Sequence, residues 1–188
     1  MRLRLPSYLE PVQGFQPQKA AELCALLISF SGGKIEKLKL IKIIYLTERQ
    51  HLADYEEPIL WDEFFSLPHG PTASAALNCI DGVLFPELTQ NYFALHRKRD
   101  VCAVSQFSEI DCEFLSDAEI GSAKLVWERH KTKTASQLRN YTHKECPEYF
   151  ELEHGRRSIS YQDVLSAVGV SDPEEIAEEI LSFRQLRQ

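Results

Sequence analysis

Four ionisable side chains, His51, Asp54, His69 and His143, are the ones from which a reactive site could be assembled. His51 and Asp54 stand three positions apart, a spacing that puts them on one face of a helix. Imidazole and carboxylate suit a zinc or iron site if they converge. Nothing in the spacing forces that convergence, since the chain has no H-x-x-x-H pair, no Cys/His cluster, no glycine-rich phosphate loop and no G-x-S-x-G elbow. A metal-dependent enzyme using these four residues is therefore a rival reading; the main reading assigns no catalytic residue, no metal ligand and no cofactor. The other stretch with chemical potential is Pro68-His69-Gly70-Pro71, a rigid turn. His69 there either caps backbone groups or presents its ring to a partner.

The elements that must position these residues can be read from periodicity. Lys37 onward places Leu38, Ile41, Ile44, Tyr45 and Leu52 on one face, with Lys39, Lys42, Glu48 and Arg49 elsewhere, which predicts an amphipathic helix of about five turns. Ile59 to Leu67 reads as a buried strand or extended segment, and Pro71 as the first residue of a following helix through Ile80. Upstream, Gln18 to Phe30 predicts a helix ended by Ser31-Gly32-Gly33. Tyr92 to Val104 alternates around Arg97-Lys98-Arg99-Asp100 as a half-exposed hairpin would, and with the Phe64 segment it could form a small antiparallel sheet. Ser116-x-x-Glu119 and Thr134-x-x-Gln137 are capping boxes opening two helices. Tyr161 to Val168, stopped by Gly169, and Glu174 to Leu186 predict two terminal helices. The fold class expected is mainly α (α+β), a single helical domain over 18–188 with a small antiparallel sheet or hairpin packed on one side. Residues 1–17 form an N-terminal arm, and 169–188 a C-terminal helical extension.

Composition bounds the function. A chain of 188 residues with 44% apolar content supports one well-cored domain. A net charge of -7 argues against a surface that grips nucleic acid along its length. The two C-terminal helices around Gly169 are acidic, which argues against autonomous DNA binding. Five cysteines without a C-x-x-C pair are expected to be reduced thiols in the cytoplasm. No apolar run approaches the roughly 20 residues that span a bilayer.

The central stretch resembles the SocA-like, Panacea-domain antitoxin family, often found in phage-associated proteins and beside toxin genes. The residues that carry the likeness are Lys39-Leu40-Ile41-Lys42-Ile43-Ile44-Tyr45, Glu48-Arg49-x-His51-Leu52, Pro58-Ile59 with Asp62, and His69-Gly70-Pro71 with Ser74. Leu115-Ser116-Asp117 and Tyr141-Thr142-His143-Lys144-Glu145 extend it, so that it covers roughly Lys19 to Gly169. The resemblance implies an antitoxin that neutralises the toxin of a neighbouring gene by direct protein–protein binding. One branch of the family is described as a proteolytic adaptor that delivers its toxin to a cytosolic protease, and this stays open as an alternative.

On either reading the expected contacts lie around the turn: Tyr45, Phe65, His69, Gly70, Pro71, Tyr141 and His143. Tyr45 belongs here only if exposed, because Tyr45 and Trp127 also read as packing residues. His143 and Glu145 have a plainer reading as a solvated helix end.

Overall fold

The computed structural model describes residues 12–186. Among them are eight α-helices and two three-stranded antiparallel sheets. Helix α1 spans Pro17–Phe30, and β1, Lys34–Glu36, leads directly into α2, Lys37–Tyr55. Strands β2, Phe64–Leu67, and β3, Gly70–Ala73, form a hairpin, followed by α3, Ser74–Ile80, and the short α4, Pro86–Thr89. A second hairpin, β4 (Phe93–His96) and β5 (Asp100–Ala103), precedes α5 (Asp117–His130) and α6 (Ala135–Glu145). Strand β6, Arg157–Ile159, and helices α7, Tyr161–Val168, and α8, Pro173–Leu186, complete the order.

Both predicted capping boxes are formed. The Ser116 hydroxyl accepts from the Glu119 N–H while Glu119 accepts from the Ser116 N–H, and Thr134 and Gln137 repeat the arrangement at α6. Each box satisfies two N–H groups that a helix start otherwise leaves unpaired. Helix α2 lies at the centre and packs against α1, α5, α6, α7 and β3. It is therefore enclosed on nearly every side, and this corrects the amphipathic reading. Lys42 and Glu48, expected on an outer face, are 1% and 0% exposed. Strand β3 lies against Lys42 and irregular chain against Glu48, and each offers backbone groups as partners. Lys42 Nζ donates to the Pro71 carbonyl at 2.7 Å, and the Glu48 carboxylate accepts from the Ile59 and Leu60 N–H groups at 3.1 and 2.8 Å.

The sheets also differ from expectation. The β4–β5 hairpin does not join the Phe64 strand; its β5 pairs with β1, giving the order β1-β5-β4, while β2 sits between β3 and β6. Strands β1 and β6 have three residues each, too short to produce a readable alternation. Pro71 lies within β3 opposite Ser66, and α3 starts only at Ser74. The cap that starts α3 there comes from Asp62, whose carboxylate accepts from the Ala75 and Ala76 N–H groups, both at 2.8 Å. Within the expected N-terminal arm, the Gln13 carbonyl accepts from Arg184 Nε and Phe15 is buried in the core, so residues 12–16 dock between the C-terminal helix and the core. The remainder of that arm lies outside the described residues. None of the described helices is long and apolar enough to cross a membrane.

Candidate functional site

The β2–β3 hairpin turns through Pro68 and His69 and closes on Gly70 at φ +100°. Glycine is required there twice over. The left-handed backbone disfavours a side chain, and a Cβ would stand 3.0 Å from Thr142 Oγ1, 3.1 Å from Lys42 Nζ and 3.2 Å from His143 Cδ2. Other elements fix the turn by taking its carbonyl oxygens. Tyr149 Oη donates to Leu67 O at 3.1 Å, Arg139 Nη2 to Pro68 O at 3.3 Å, and Lys42 Nζ to Pro71 O. Thr72 Oγ1 donates to Gly70 O at 3.2 Å and lies 3.3 Å from Lys42 Nζ. The hairpin tip is thus held by α2, α6 and the chain after α6, and His69 at its apex is exposed.

The electrostatics follow from burial. Removal from water pulls the Lys42 ammonium down to about 7. His143 is lowered by burial and then by the neighbouring Arg139 charge. Its ring lies 4.4 Å from that of Tyr149, and its Nε2, like Arg139 Nε, is buried without a hydrogen-bond partner among the described residues. Tyr45 is 0% exposed. Its hydroxyl donates to Glu148 Oε1 at 2.7 Å, an oxygen that also accepts from Arg49 Nε at 2.7 Å, and its ring meets Phe64 edge-on. Tyr45 therefore braces the interior, as its packing reading expected.

Of the other residues expected to meet a partner, Gly70 and Pro71 are buried and act by shaping the turn. Phe65, Tyr141 and His143 are half-buried. Tyr141 packs beside His130 at 4.7 Å, with Lys133 Nζ 5.5 Å from its ring centre.

Two recesses open beside the turn. One, of about 380 Å³, is walled by Leu38 and Ile41 of α2, Leu67, Pro68 and His69 of the hairpin, and Lys98 and Arg99 of the other hairpin tip. The second, of about 330 Å³, holds Phe65, Ser74, Asn78 and Arg156. Leu67, Thr72 and Leu77 belong to both. Leu67, Leu77 and Arg156 were not singled out from the sequence. Strand β2 carried a usable signal for the first of them, because Phe64 and Ser66 point inward and leave two large apolar residues, Phe65 and Leu67, on the outer face.

The four residues of the rival metal reading are divided among separate partners. His51 Nδ1 is hydrogen-bonded to Ser122 Oγ at 2.9 Å, Asp54 accepts from Gln50 Nε2 at 2.8 Å, and His69 and His143 belong to the hairpin turn and α6. Among the described residues no three His, Cys, Asp or Glu side chains are grouped so as to hold a metal ion.

The family model described as antitoxin SocA-like, Panacea domain, matches residues 40–148. That span encloses Lys42, the β2–β3 turn, Arg139 and His143. Comparison with curated proteins and with solved structures finds no match.

Proposed function

The chain belongs to the antitoxin SocA-like, Panacea-domain family, and from that premise we propose that it neutralises a cognate toxin in the cytoplasm by direct, stoichiometric binding. No bond is made or broken; a preformed surface of the antitoxin covers or distorts the toxin's working face. The observation that carries this reading is the family match itself, which includes Lys42, the hairpin turn it braces and α6, and ends one residue before Tyr149. A turn held by side chains from three other segments changes little on binding, so little ordering entropy opposes association. A stable inhibitory interface buries about 1,600 Å² in total and draws most of its affinity from a few anchors. His69 and Phe65 at the turn, with Tyr141 and His143 alongside, are the proposed anchors.

Co-expression with the product of the adjacent reading frame tests this. The expected result is growth arrest by that product alone, rescue by this chain, and co-purification of the two. A harmless neighbour overturns the pairing. Rescue without a complex, dependent on a cytosolic protease, would instead establish the adaptor mode.

A further inference from the structure

The two recesses share three walls and together form one groove whose floor is Leu38, Ile41, Phe65, Leu67 and Leu77. Its charge is opposite to that of the chain. The protein carries a net -7, yet this groove is lined by Lys37, Lys98, Arg99 and Arg156 against two carboxylates. Both carboxylates are engaged, Asp81 by Lys37 and Glu36 by Arg99 at 3.8 Å. Lys98 makes no ion pair among the described residues.

The basic end of the groove is also held against local backbone preference. Arg97 and Lys98 sit at φ +50° and +57°, closed by the Arg99 N–H donating to His96 O at 3.0 Å. A β-turn with both central residues left-handed ordinarily takes Gly, Asn or Asp there, and here it forms the first part of a three-residue hairpin loop. Placing two long cationic residues there costs stability, and such strain collects where a surface serves recognition. The Lys37 N–H donates to Arg99 O at 2.7 Å and anchors this tip to the start of α2.

Resting on the antitoxin reading, we infer that the groove is where the toxin docks, and that its occupant is an extended toxin segment bearing large apolar side chains flanked by Asp or Glu. The apolar side chains fill the recesses over Leu67 and Leu77. The carboxylates meet Lys98 and Arg99 at one end and Arg156, which lies 4.5 Å over the Phe65 ring, at the other. Nucleic acid fits less well, because five aliphatic or aromatic floor residues would be left facing sugar and phosphate.

The test uses the full chain and the adjacent gene's product, first as intact protein and then as overlapping peptides covering its sequence. Lys98→Glu/Arg99→Glu should weaken binding by about tenfold or more and flatten its salt dependence. Lys144→Glu, whose side chain is 84% exposed on α6 and outside the groove, should leave it unchanged. The milder Leu77→Ala, with its melting curve recorded, reports on the floor, and the retained peptide should combine apolar and acidic residues.

If the wild type binds and rescues growth while the charge reversal stays within about twofold of it, the groove assignment falls and the antitoxin reading stands. Retention of only basic peptides overturns the assignment too. So does binding of a single-stranded RNA oligonucleotide that is lost in the charge reversal while toxin binding persists. A wild type that neither binds nor rescues against a toxic neighbour overturns both readings.

Discussion

Lys42 Nζ stands 2.7 Å from the carbonyl oxygen of Pro71, so the middle of the central helix is tied to the hairpin that carries His69. A lysine buried this deeply is disfavoured in its charged form. It survives because the hairpin offers a backbone oxygen and the Thr72 hydroxyl in place of water.

Lys42 gives the protein a pH signature. Its folded pKa, about 7, lies below the ordinary 10.5, so the unfolded chain binds more protons between those values. The contribution of this residue to stability therefore rises with pH through that window and is flat below it. Relative to Lys42→Met, the wild type should gain about 1 kcal/mol per pH unit on the alkaline side of neutrality. Urea denaturation of both proteins across that range checks this; parallel stability curves would show that Lys42 is not buried as described.

Glu48 should matter through the backbone it holds. Glu48→Ala leaves the Ile59 and Leu60 N–H groups unpaired in the interior, a loss of about 2–4 kcal/mol. Amide exchange at Ile59 and Leu60 should accelerate before that of α2, and unchanged protection there would contradict the assignment.

Gly70→Ala combines a left-handed backbone with contacts at 3.0–3.2 Å from α2 and α6. We expect a loss of about 2 kcal/mol, or roughly 4–8 °C in melting temperature. A melting temperature equal to the wild type would mean that the turn is not seated on Thr142 and His143.

Arg97→Asn/Lys98→Gly should move stability and function in opposite directions. Relief of two left-handed non-glycine positions should stabilise by about 1 kcal/mol. Toxin binding should weaken with loss of the Lys98 charge, which lines the groove. Improved stability with undiminished binding would make the basic tip a plain turn.

The parts of the fold governed by local rules were legible in the sequence. Ser116 with Glu119 and Thr134 with Gln137 announce α5 and α6, and of the expected turn Arg97-Lys98-Arg99-Asp100 the first three residues form the tip of the second hairpin while Asp100 already opens β5. What escaped depends on partners distant in the chain. The burial of Lys42 and Glu48 requires knowing that residues 59–60 and 71 close over α2. Likewise, α3 is capped by Asp62, 13 residues before Ala75, and no local spacing reports that. At the site, the His69-Gly70-Pro71 motif drew notice, while the groove floor stayed hidden because Leu67 and Leu77 converge only after β2 and α3 pack.

His69 separates recognition from architecture. Its side chain is exposed at a turn whose carbonyls are held by others, so His69→Ala should leave the melting curve within about 1 °C of wild type. Neutralisation should nonetheless fall by about tenfold. His143→Ala, which removes a half-buried ring packed on Tyr149, should lower both.

The most direct measurement is a titration of purified toxin activity with this protein, with no protease or nucleotide present. Activity should fall linearly and vanish near about one equivalent, with a complex of matching stoichiometry on a sizing column. Toxin activity that persists through an excess of folded protein would contradict direct neutralisation.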